Sequence, residues 1–152
     1  MYNFLQANKL ITPSQSGFIP GNSTVNQLVC IYNELCSSFG SGITTQAVYS
    51  DISKAYDRVW NKCLLVKLEA VGIRGQLLEC FRDYLTNRMP IVVIKGKKSC
   101  LKRVMSGVPQ SSMLGPLLFL IYITDNVNDI QSVIKLFSDD LNMSLTLNSL
   151  NN

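Results

Sequence analysis

The sequence predicts a mixed α/β fold of the α+β type, in which short strands form a sheet that is backed by helices. Long segments with apolar residues at helical spacing are separated by short apolar runs that end at turn residues. The chain has 152 residues, of which 47% are hydrophobic and 16% charged. This length suits one domain with a sizeable core, and the net charge of +4 is too small for a disordered chain of this apolar content.

The first half of the chain predicts a helix, a strand and two further helices, in that order. Ser23 has the side chain of a helix N-cap, and the helix that it starts runs to about Phe39. Residues 46–51 are typical of a strand, and apolar residues at helical spacing predict helices near 64–71 and 77–85. The apolar face of the first helix comprises Val25, Leu28, Val29, Tyr32, Leu35, Cys36 and Phe39.

The second half of the chain predicts a hairpin, a helix and two final strands. The predicted elements are a hairpin of residues 91–94 and 100–105 with its turn at 95–98, a loop at 106–112, a helix from about 114 to 127, and strands at 133–137 and 141–147. The last two strands flank Ser138-Asp139-Asp140, which is the pattern of a tight turn.

Composition excludes several classes of site. The chain has no histidine, so Ser-His-Asp and Cys-His nucleophilic sites and His-ligated zinc are impossible.

Its five cysteines form no CxxC pair and no secretory leader precedes them, which predicts an intracellular protein, nuclear or cytoplasmic. The longest apolar run, Met113 to Ile123, is too short for a membrane helix, which needs about 20 residues. A pI near 8.8 suits a polyanionic partner.

Carboxylates stand at the ends of two predicted strands. Asp51 ends the first strand, and Asp139 and Asp140 occupy the turn of the last hairpin. Carboxylates brought together repel each other, and a divalent cation relieves that repulsion. Oxygen-only ligands suit Mg²⁺ or Mn²⁺, ions that also serve phosphoryl transfer. Taken alone, the Asp139-Asp140 pair is more typical of an ordinary turn, because Asp favours turns for local hydrogen-bonding reasons.

Four segments in order carry a specific resemblance. They are QSGFIPGNST at 15–24, DISKAYDRVW at 51–60, SGVPQSSMLGPLLF at 106–119 and FSDD at 137–140. Together they resemble the fingers and palm motifs of the reverse transcriptases of non-LTR (LINE-type) retrotransposons such as jockey-like elements. The resemblance extends from about Asn8 to Leu145.

The resemblance implies a metal site built mainly from carboxylates. By position, Asp51 matches the first metal-binding Asp of the family and Asp139 matches the second. Asp140 matches the last residue of the motif, a weaker or indirect ligand, and Ile52 is expected to offer its main-chain carbonyl. The implied cofactor is Mg²⁺ or Mn²⁺, which serves the primer 3′-hydroxyl and the triphosphate in this chemistry.

The same resemblance implies a nucleotide and template site. Tyr56 matches the aromatic residue that stacks under the sugar of the incoming nucleotide, and Gln110 matches the glutamine beside the templating base. Gly107 and Pro109 are expected to shape the loop that carries Gln110 and to lie along the template or primer.

A basic segment from Lys95 to Arg103 holds five basic residues. Lys97 and Lys98 within it are predicted to contact phosphates of the template or primer. A solvated turn is the alternative, and it carries equal weight because charge runs are usually solvated.

For the whole chain, the resemblance implies the palm of a right-hand polymerase with part of the fingers, an antiparallel sheet backed by helices. Residues 1–45 are expected to derive from the fingers and residues 46–147 from the palm, without the thumb and endonuclease segments of a larger polyprotein. The implied reaction is RNA-directed DNA polymerisation, a nucleotidyl transfer to a primer 3′-hydroxyl. Its implied partners are an RNA template, a DNA primer and deoxynucleoside triphosphates.

Departures from the family pattern keep other interpretations open. Ser111 stands where the family has Gly, and would cost about 1 kcal/mol if the position needs a positive φ. Ile19 and Asn22 stand where Arg is common. Asp57 and Trp60 match the pattern, yet a surface salt link and a core anchor are the structural roles expected of them.

These departures favour one alternative function, and the carboxylates allow another. In the first alternative, the chain is a catalytically inactive retrotransposon relic that folds or binds nucleic acid weakly. A carboxylate-metal nuclease is the third hypothesis, which would share the Asp cluster without needing Tyr56 and Gln110.

Overall fold

The computed structural model describes residues 1–127, 130 and 132–147. The chain divides into two compact units. Residues 3–53 and the described residues from 124 onward form one, which we call the sheet unit. Residues 1–2 and 54–123 form the other, which we call the helical unit. In the described part of the chain, no helix combines the length and the apolar character needed to cross a bilayer.

The sheet unit is built on three antiparallel strands. They are β1 (Thr44–Asp51), β4 (Val133–Phe137) and β5 (Asp140–Leu147), in the order β1-β5-β4. The central strand β5 therefore pairs on both sides, and Asp140 lies opposite both Asp51 and Phe137. The predicted strands at 46–51, 133–137 and 141–147 are confirmed, with each of the first and last extended slightly.

Helix α2 (Thr24–Gly40) lies against β1 and β4 of the sheet unit. Ser23 caps it as predicted, because its Oγ accepts a hydrogen bond from the backbone N–H of Asn26 at 3.1 Å. Most of the predicted apolar face of α2 is exposed, however, and the side chain of Phe39 is 88% accessible. The helical periodicity was therefore a sound guide to the helix and a poor guide to its burial.

The N-terminal part of the sheet unit adds a feature that periodicity did not predict. A short helix, α1 (Tyr2–Ala7), which belongs to this unit from Asn3 onward, precedes a loop that runs beside β4. The backbone N–H of Ser16 donates to the carbonyl of Leu136 at 2.8 Å, and the N–H of Leu136 donates to the carbonyl of Ser14 at 2.8 Å. This segment therefore pairs in parallel with β4 through a single bridge between Gln15 and Leu136.

The helical unit packs three helices around one apolar core. Its elements are a 3₁₀ helix (Ala55–Arg58), α3 (Asn61–Ala70), α4 (Gln76–Thr86), β2 (Val93–Ile94), β3 (Lys97–Lys98) and α5 (Gly115–Ile123). Helix α3 packs against both α4 and α5. Core side chains with almost no exposure include Val59, Leu64, Leu68, Leu85, Leu118 and Phe119. The two amphipathic helices predicted near 64–71 and 77–85 are confirmed as α3 and α4.

Two predicted elements of the helical unit were partly wrong. The hairpin partner of β2 is Lys97–Lys98 and not residues 100–105, because Lys95 and Gly96 both have positive φ, 49° and 77°, and close a two-residue turn. Helix α5 ends at Ile123 and not near Val127.

Candidate active site

The predicted carboxylates meet at one end of the sheet. Asp51 is the last residue of β1 and lies directly opposite Asp140, the first residue of β5. Asp139 precedes Asp140 in the turn between β4 and β5. Asp51 and Asp140 are exposed and Asp139 is half-buried, so the group is reachable from solvent while the backbone of Asp51 and Asp140 is held in the sheet.

These carboxylates influence one another electrostatically. Partial desolvation raises the pKa of Asp140, and the negative charges of Asp139 and Asp51 raise it further. Repulsion of this kind is the situation that a bound cation relieves. The structure thus brings together the three Asp residues that the sequence singled out.

The donor chemistry of this group fits a hard divalent ion, because all of its side-chain donors are carboxylate oxygens. Ile52 follows directly after β1, with an exposed side chain. Within residues 1–127, 130 and 132–147, no group of three or more His, Cys, Asp or Glu side chains is arranged to hold a metal ion. The backbone therefore assembles the carboxylates without placing their side chains in a finished coordination shell.

A cleft of ≈ 380 Å³ opens beside the carboxylates, between α2 and the sheet. Asp51 and Asp140 line it together with Gln27 and Asn142. Both amides are more than nine-tenths buried, and neither Oε1 of Gln27 nor Nδ2 of Asn142 has a hydrogen-bond partner among the described residues. The cleft is mostly apolar, and two of the residues that line it each carry a buried polar atom without a hydrogen-bond partner in the described part of the chain.

In the helical unit, a stacking contact holds the ring of Tyr56 in place. It is half-buried in the 3₁₀ helix and stacks on Phe119 of α5, with ring centroids 4.4 Å apart and an interplanar angle of 24°. A stacked aromatic pair of this kind stabilises beyond the area that it buries. One face of the Tyr56 ring is therefore supported by the core of the unit.

The loop that carries Gln110 is tied to the segment that carries Tyr56. Backbone N–H groups of Gly107 and Val108 donate to the carbonyls of Val59, at 2.7 Å, and Tyr56, at 2.9 Å. The side-chain amide of Gln110 donates to Oδ1 of Asp57 at 2.8 Å. The two motifs that the sequence singled out in this unit are therefore in direct contact.

This close contact requires a glycine at position 107. Its φ is +86°, and a Cβ at this position would lie 2.8 Å from both the Cα of Asp57 and the carbonyl oxygen of Tyr56. Pro109 is half-buried, and its carbonyl accepts a hydrogen bond from the Ser112 hydroxyl at 2.8 Å. The loop is thus held by backbone contacts at Gly107 and by a side-chain contact after Pro109.

Arg88 is a residue of this loop region that sequence reasoning missed. Its guanidinium donates to the carbonyls of Ser106, at 3.0 Å, and of Gly107. Burial lowers the pKa of Arg88. A single Arg after a helix carries no pattern in sequence, so no signal pointed to its role.

Ser111 has the strained backbone that its place in the motif suggested. Ser111 has a φ of 56°, in the left-handed region that favours glycine. Position 111 therefore has the positive φ at which serine in place of glycine is expected to cost about 1 kcal/mol.

Trp60 was wrongly expected to be a core anchor. Its side chain is 60% exposed, because it precedes α3, and the neighbouring Val59 and Leu64 are buried in its place.

Lys97 and Lys98 form β3 and are exposed on the β2–β3 hairpin. Lys97 pairs with Ile94, and Lys98 pairs with Val93, across the two strands. The hairpin therefore presents two adjacent cations on a short ordered element.

The fold and the carboxylates of this chain are similar to those of one class of protein, the polymerases that have a palm with adjoining fingers. A solved telomerase from Candida albicans, in complex with the TWJ fragment of telomeric RNA, matches with a TM-score of 0.71 and 16% identity. The match covers 97% of this chain and 29% of that one. Apo telomerase from Candida tropicalis, truncated from its C-terminal domain, matches with a TM-score of 0.65 and 15% identity, covering 97% and 33%. At these identities the likeness establishes the fold.

Sequence comparison gives the family. Residues 1–149 match the family described as reverse transcriptase (RNA-dependent DNA polymerase), and the chain belongs to that family. It is 32% identical over 117 residues to the RNA-directed DNA polymerase from the mobile element jockey of Drosophila melanogaster, covering 77% of this chain and 13% of that protein. It is 29% identical over 144 residues to the probable RNA-directed DNA polymerase from transposon X-element of the same organism, covering 91% and 16%.

These relatives confirm the predicted resemblance to the reverse transcriptases of non-LTR retrotransposons. The chain spans less than a fifth of the length of the relatives that it matches.

Proposed function

We propose that this chain carries the reacting groups of an RNA-directed DNA polymerase that transfers deoxynucleotides to a primer 3′-hydroxyl. The observation that carries the proposal is the pairing of Asp51 with Asp140 across β1 and β5, with Asp139 beside them, in a chain of the reverse transcriptase family. Carboxylates on adjacent strands are held rigidly yet remain open to solvent.

Asp51 and Asp139 would hold Mg²⁺ or Mn²⁺, with the main-chain carbonyl of Ile52 as a further ligand and Asp140 as a weaker or indirect one. When bound, such ions lower the cost of charge at the attacking oxygen and at the leaving pyrophosphate. The residues of this chain would supply position: the β1–β5 pairing fixes the backbone of Asp51 and Asp140, and Asp139 precedes Asp140 in the turn. Oxygen-only donors support the choice of a hard ion.

Tyr56 and Gln110 would receive the incoming nucleotide. The Tyr56 ring stacks on Phe119, which holds its plane in place, and a ring held in this way suits a steric wall beside a sugar. A rigid wall rejects an additional hydroxyl by sterics alone, which suits discrimination between ribose and deoxyribose. Gln110 is directed by Asp57, which restricts where its amide can point.

The template and primer would lie along Gly107, Pro109 and the hairpin that carries Lys97 and Lys98. Exposed cations on an ordered hairpin suit contacts to phosphates, which need no particular base sequence. An RNA template, a DNA primer and deoxynucleoside triphosphates are accordingly the proposed partners.

We also propose that residues 1–45 belong to the fingers and residues 46–147 to the palm, in a protein whose other segments grip the duplex. The five cysteines, all free thiols, support an intracellular setting, nuclear or cytoplasmic.

Primer extension on poly(rA)/oligo(dT) tests the proposal, with the Asp51→Asn variant as the matched control. We expect dTTP incorporation that depends on Mg²⁺ or Mn²⁺ and is lost in Asp51→Asn. Metal-dependent binding of dTTP to the wild type, followed by fluorescence, is measured in parallel because it reports the site before chemistry.

Two outcomes would contradict the proposal. Shortening of the primer in place of extension would indicate a carboxylate-metal nuclease. Nucleic-acid binding without extension and without metal-dependent dTTP binding, in the wild type and in Ser111→Gly alike, would indicate an inactive relic.

A further inference from the structure

Gln15 is a buried side chain that contacts the turn carrying Asp139. It is 4% exposed and lies on the segment that pairs with Leu136 of β4. Its Oε1 accepts hydrogen bonds from the backbone N–H of Ser138 at 2.9 Å and of Gly17 at 2.7 Å. Its Nε2 donates to the carbonyl of Ser138 at 3.2 Å. One amide therefore binds both backbone groups of a residue 123 positions away.

Ser138 is the residue whose backbone sets the direction of Asp139. The N–H of Ser138 belongs to the peptide plane that precedes it, and its carbonyl belongs to the plane shared with Asp139. Holding both groups fixes both planes. Ser138 is itself 7% exposed and has a φ of 60°, so the turn adopts a conformation that an L-residue rarely takes without support.

The geometry requires an amide at position 15. A carboxylate of the same shape has two acceptors and no donor, so it would repel the Ser138 carbonyl and add a negative charge beside Asp139. An alanine would leave the N–H groups of Ser138 and Gly17 without this acceptor in a buried place, which costs more than the hydrogen bonds are worth.

Gly17 makes the contact sterically feasible. A Cβ on Gly17 would lie 2.2 Å from the backbone nitrogen of Ser138 and 3.0 Å from Oε1 of Gln15. The chain at Gly17 must therefore approach the β4–β5 turn more closely than any side chain permits. This close approach is a second observation, independent of the Gln15 hydrogen bonds, that the Gln15–Gly17 segment packs directly against that turn.

We propose that Gln15 is a positioning residue for Asp139: its side-chain amide locks the Ser138 backbone and so places the carboxylate that follows. The segment acts through the turn and does not touch the reacting atoms. This inference rests on the proposed function for its catalytic consequence, and on the hydrogen bonds alone for its structural content.

Hydrogen exchange of the Ser138 amide in the wild type tests the structural content directly. We expect this amide to exchange at least tenfold more slowly than an exposed loop amide such as that of Met113. Exchange as fast as in the exposed loop would overturn the inference, whatever the activity of the chain.

Two variants test the consequence for the site. Gln15→Glu replaces the donor by a charge, and Gln15→Met keeps the volume and removes both polar atoms. We expect each to lower Mn²⁺ affinity and the kcat of primer extension by about 10-fold to 100-fold, the range typical of residues that orient metal ligands, with little change in KM for dTTP. Gln15→Glu should be the worse of the two.

Asn61→Asp is the matched control. Asn61 is also 4% exposed, and its amide donates to the main-chain carbonyl of Leu85 at 3.0 Å, in the helical unit. The change removes a buried amide donor without touching the β4–β5 turn, so we expect lower stability with an unchanged kcat and Mn²⁺ affinity in the folded protein.

The outcomes separate the two proposals. If the wild type neither binds Mn²⁺ through Asp139 nor extends a primer, the proposed function fails, while the exchange measurement still decides whether Gln15 holds the turn. If the wild type is active and both Gln15 variants stay within twofold of it, the positioning role is overturned. A loss equal to that in Asn61→Asp would also overturn it, because general destabilisation would then suffice.

Discussion

The side-chain amide of Gln110 donates a 2.8 Å hydrogen bond to the carboxylate of Asp57, which lies 53 positions earlier in the chain. From the sequence, Gln110 is expected beside the nucleotide and template, and Asp57 is expected to form a surface salt link. The structure gives Asp57 a partner that the pattern did not suggest. Asp57 is therefore expected to matter through Gln110, and this can be measured.

Asp57→Ala should lower the efficiency with which dTTP is used, with little effect on stability. Both side chains are exposed, so the free energy of unfolding should change by no more than about 0.5 kcal/mol. Loss of the contact frees Gln110, and we expect kcat/KM for dTTP to fall about 3-fold to 10-fold, a cost of about one hydrogen bond. Steady-state primer extension measures it.

Asp83→Ala is the control for that change. Asp83 is also exposed and accepts a hydrogen bond from the amide of Asn87 at 3.0 Å, on α4. An equal loss of kcat/KM in both variants would show that the Asp57 contact has no particular role.

Ser111→Gly should stabilise the protein. Ser111 has a φ of 56°, and relief of the left-handed strain should gain up to about 1 kcal/mol, in part offset by the greater freedom of glycine in the unfolded chain. Urea denaturation followed by circular dichroism measures the gain. Ser112→Gly should do the opposite, because the Ser112 hydroxyl bonds Tyr84, Pro109 and the N–H of Gly115. A lower midpoint for Ser111→Gly would refute the assignment of strain.

Arg88→Ala should loosen the Gln110 loop. The change removes donors from the carbonyls of Ser106 and Gly107, and we expect the free energy of unfolding to fall by about 1–3 kcal/mol. Arg88→Lys should recover little, because an ammonium group cannot reproduce the forked donors of a guanidinium. Thermal and urea unfolding check both.

Arg82→Ala is the comparison for Arg88. Arg82 is exposed on α4 and pairs with Glu79 three positions earlier, so its loss should cost no more than about 0.5 kcal/mol. Equal costs for the two arginines would show that the loop contacts of Arg88 contribute nothing beyond a surface ion pair.

The Lys97→Ala, Lys98→Ala double variant should weaken binding to an RNA–DNA hybrid. If both cations contact phosphates, the slope of log K against log salt should fall in magnitude by about 2, at unchanged stability. Fluorescence anisotropy over a salt series gives the slope. A slope like that of the wild type, or like that of Lys62→Ala on α3, would favour the solvated turn.

Asp139→Ala should lower Mn²⁺ affinity at least tenfold in calorimetry, because it removes a carboxylate from the end of the sheet where Asp51 and Asp140 lie. Glu69→Ala, an exposed carboxylate on α3, should leave the affinity unchanged. Equal affinity in the wild type and Asp139→Ala would argue against a metal site here.

Local patterns in the sequence predicted local structure well. Ser23 marked the start of α2, and the residues around Ser138 marked the turn between β4 and β5, because capping and tight turns depend on neighbouring residues. The end of the β2–β3 hairpin was misplaced, since two positive φ angles at Lys95 and Gly96 decide the register. Burial was least predictable: Phe39 and Trp60 are both exposed.

The candidate site was predicted as a set of residues and not as a set of contacts. The motifs named Asp51, Asp139 and Gln110, but nothing in them indicated that Gln15 binds the Ser138 backbone. Contacts between side chains and distant backbone depend on the folded chain, and a single sequence has no periodicity that reports them.

The order of the strands has a consequence for how the protein folds. β4 and β5 are joined by a tight turn and can pair as soon as both exist, whereas β1 must wait for β5 while the whole helical unit intervenes. Closing so long a loop is entropically costly and slows folding. Asp51 and Asp140 should therefore meet late, and refolding experiments should show a hairpin protected early and its partnership with β1 completed last.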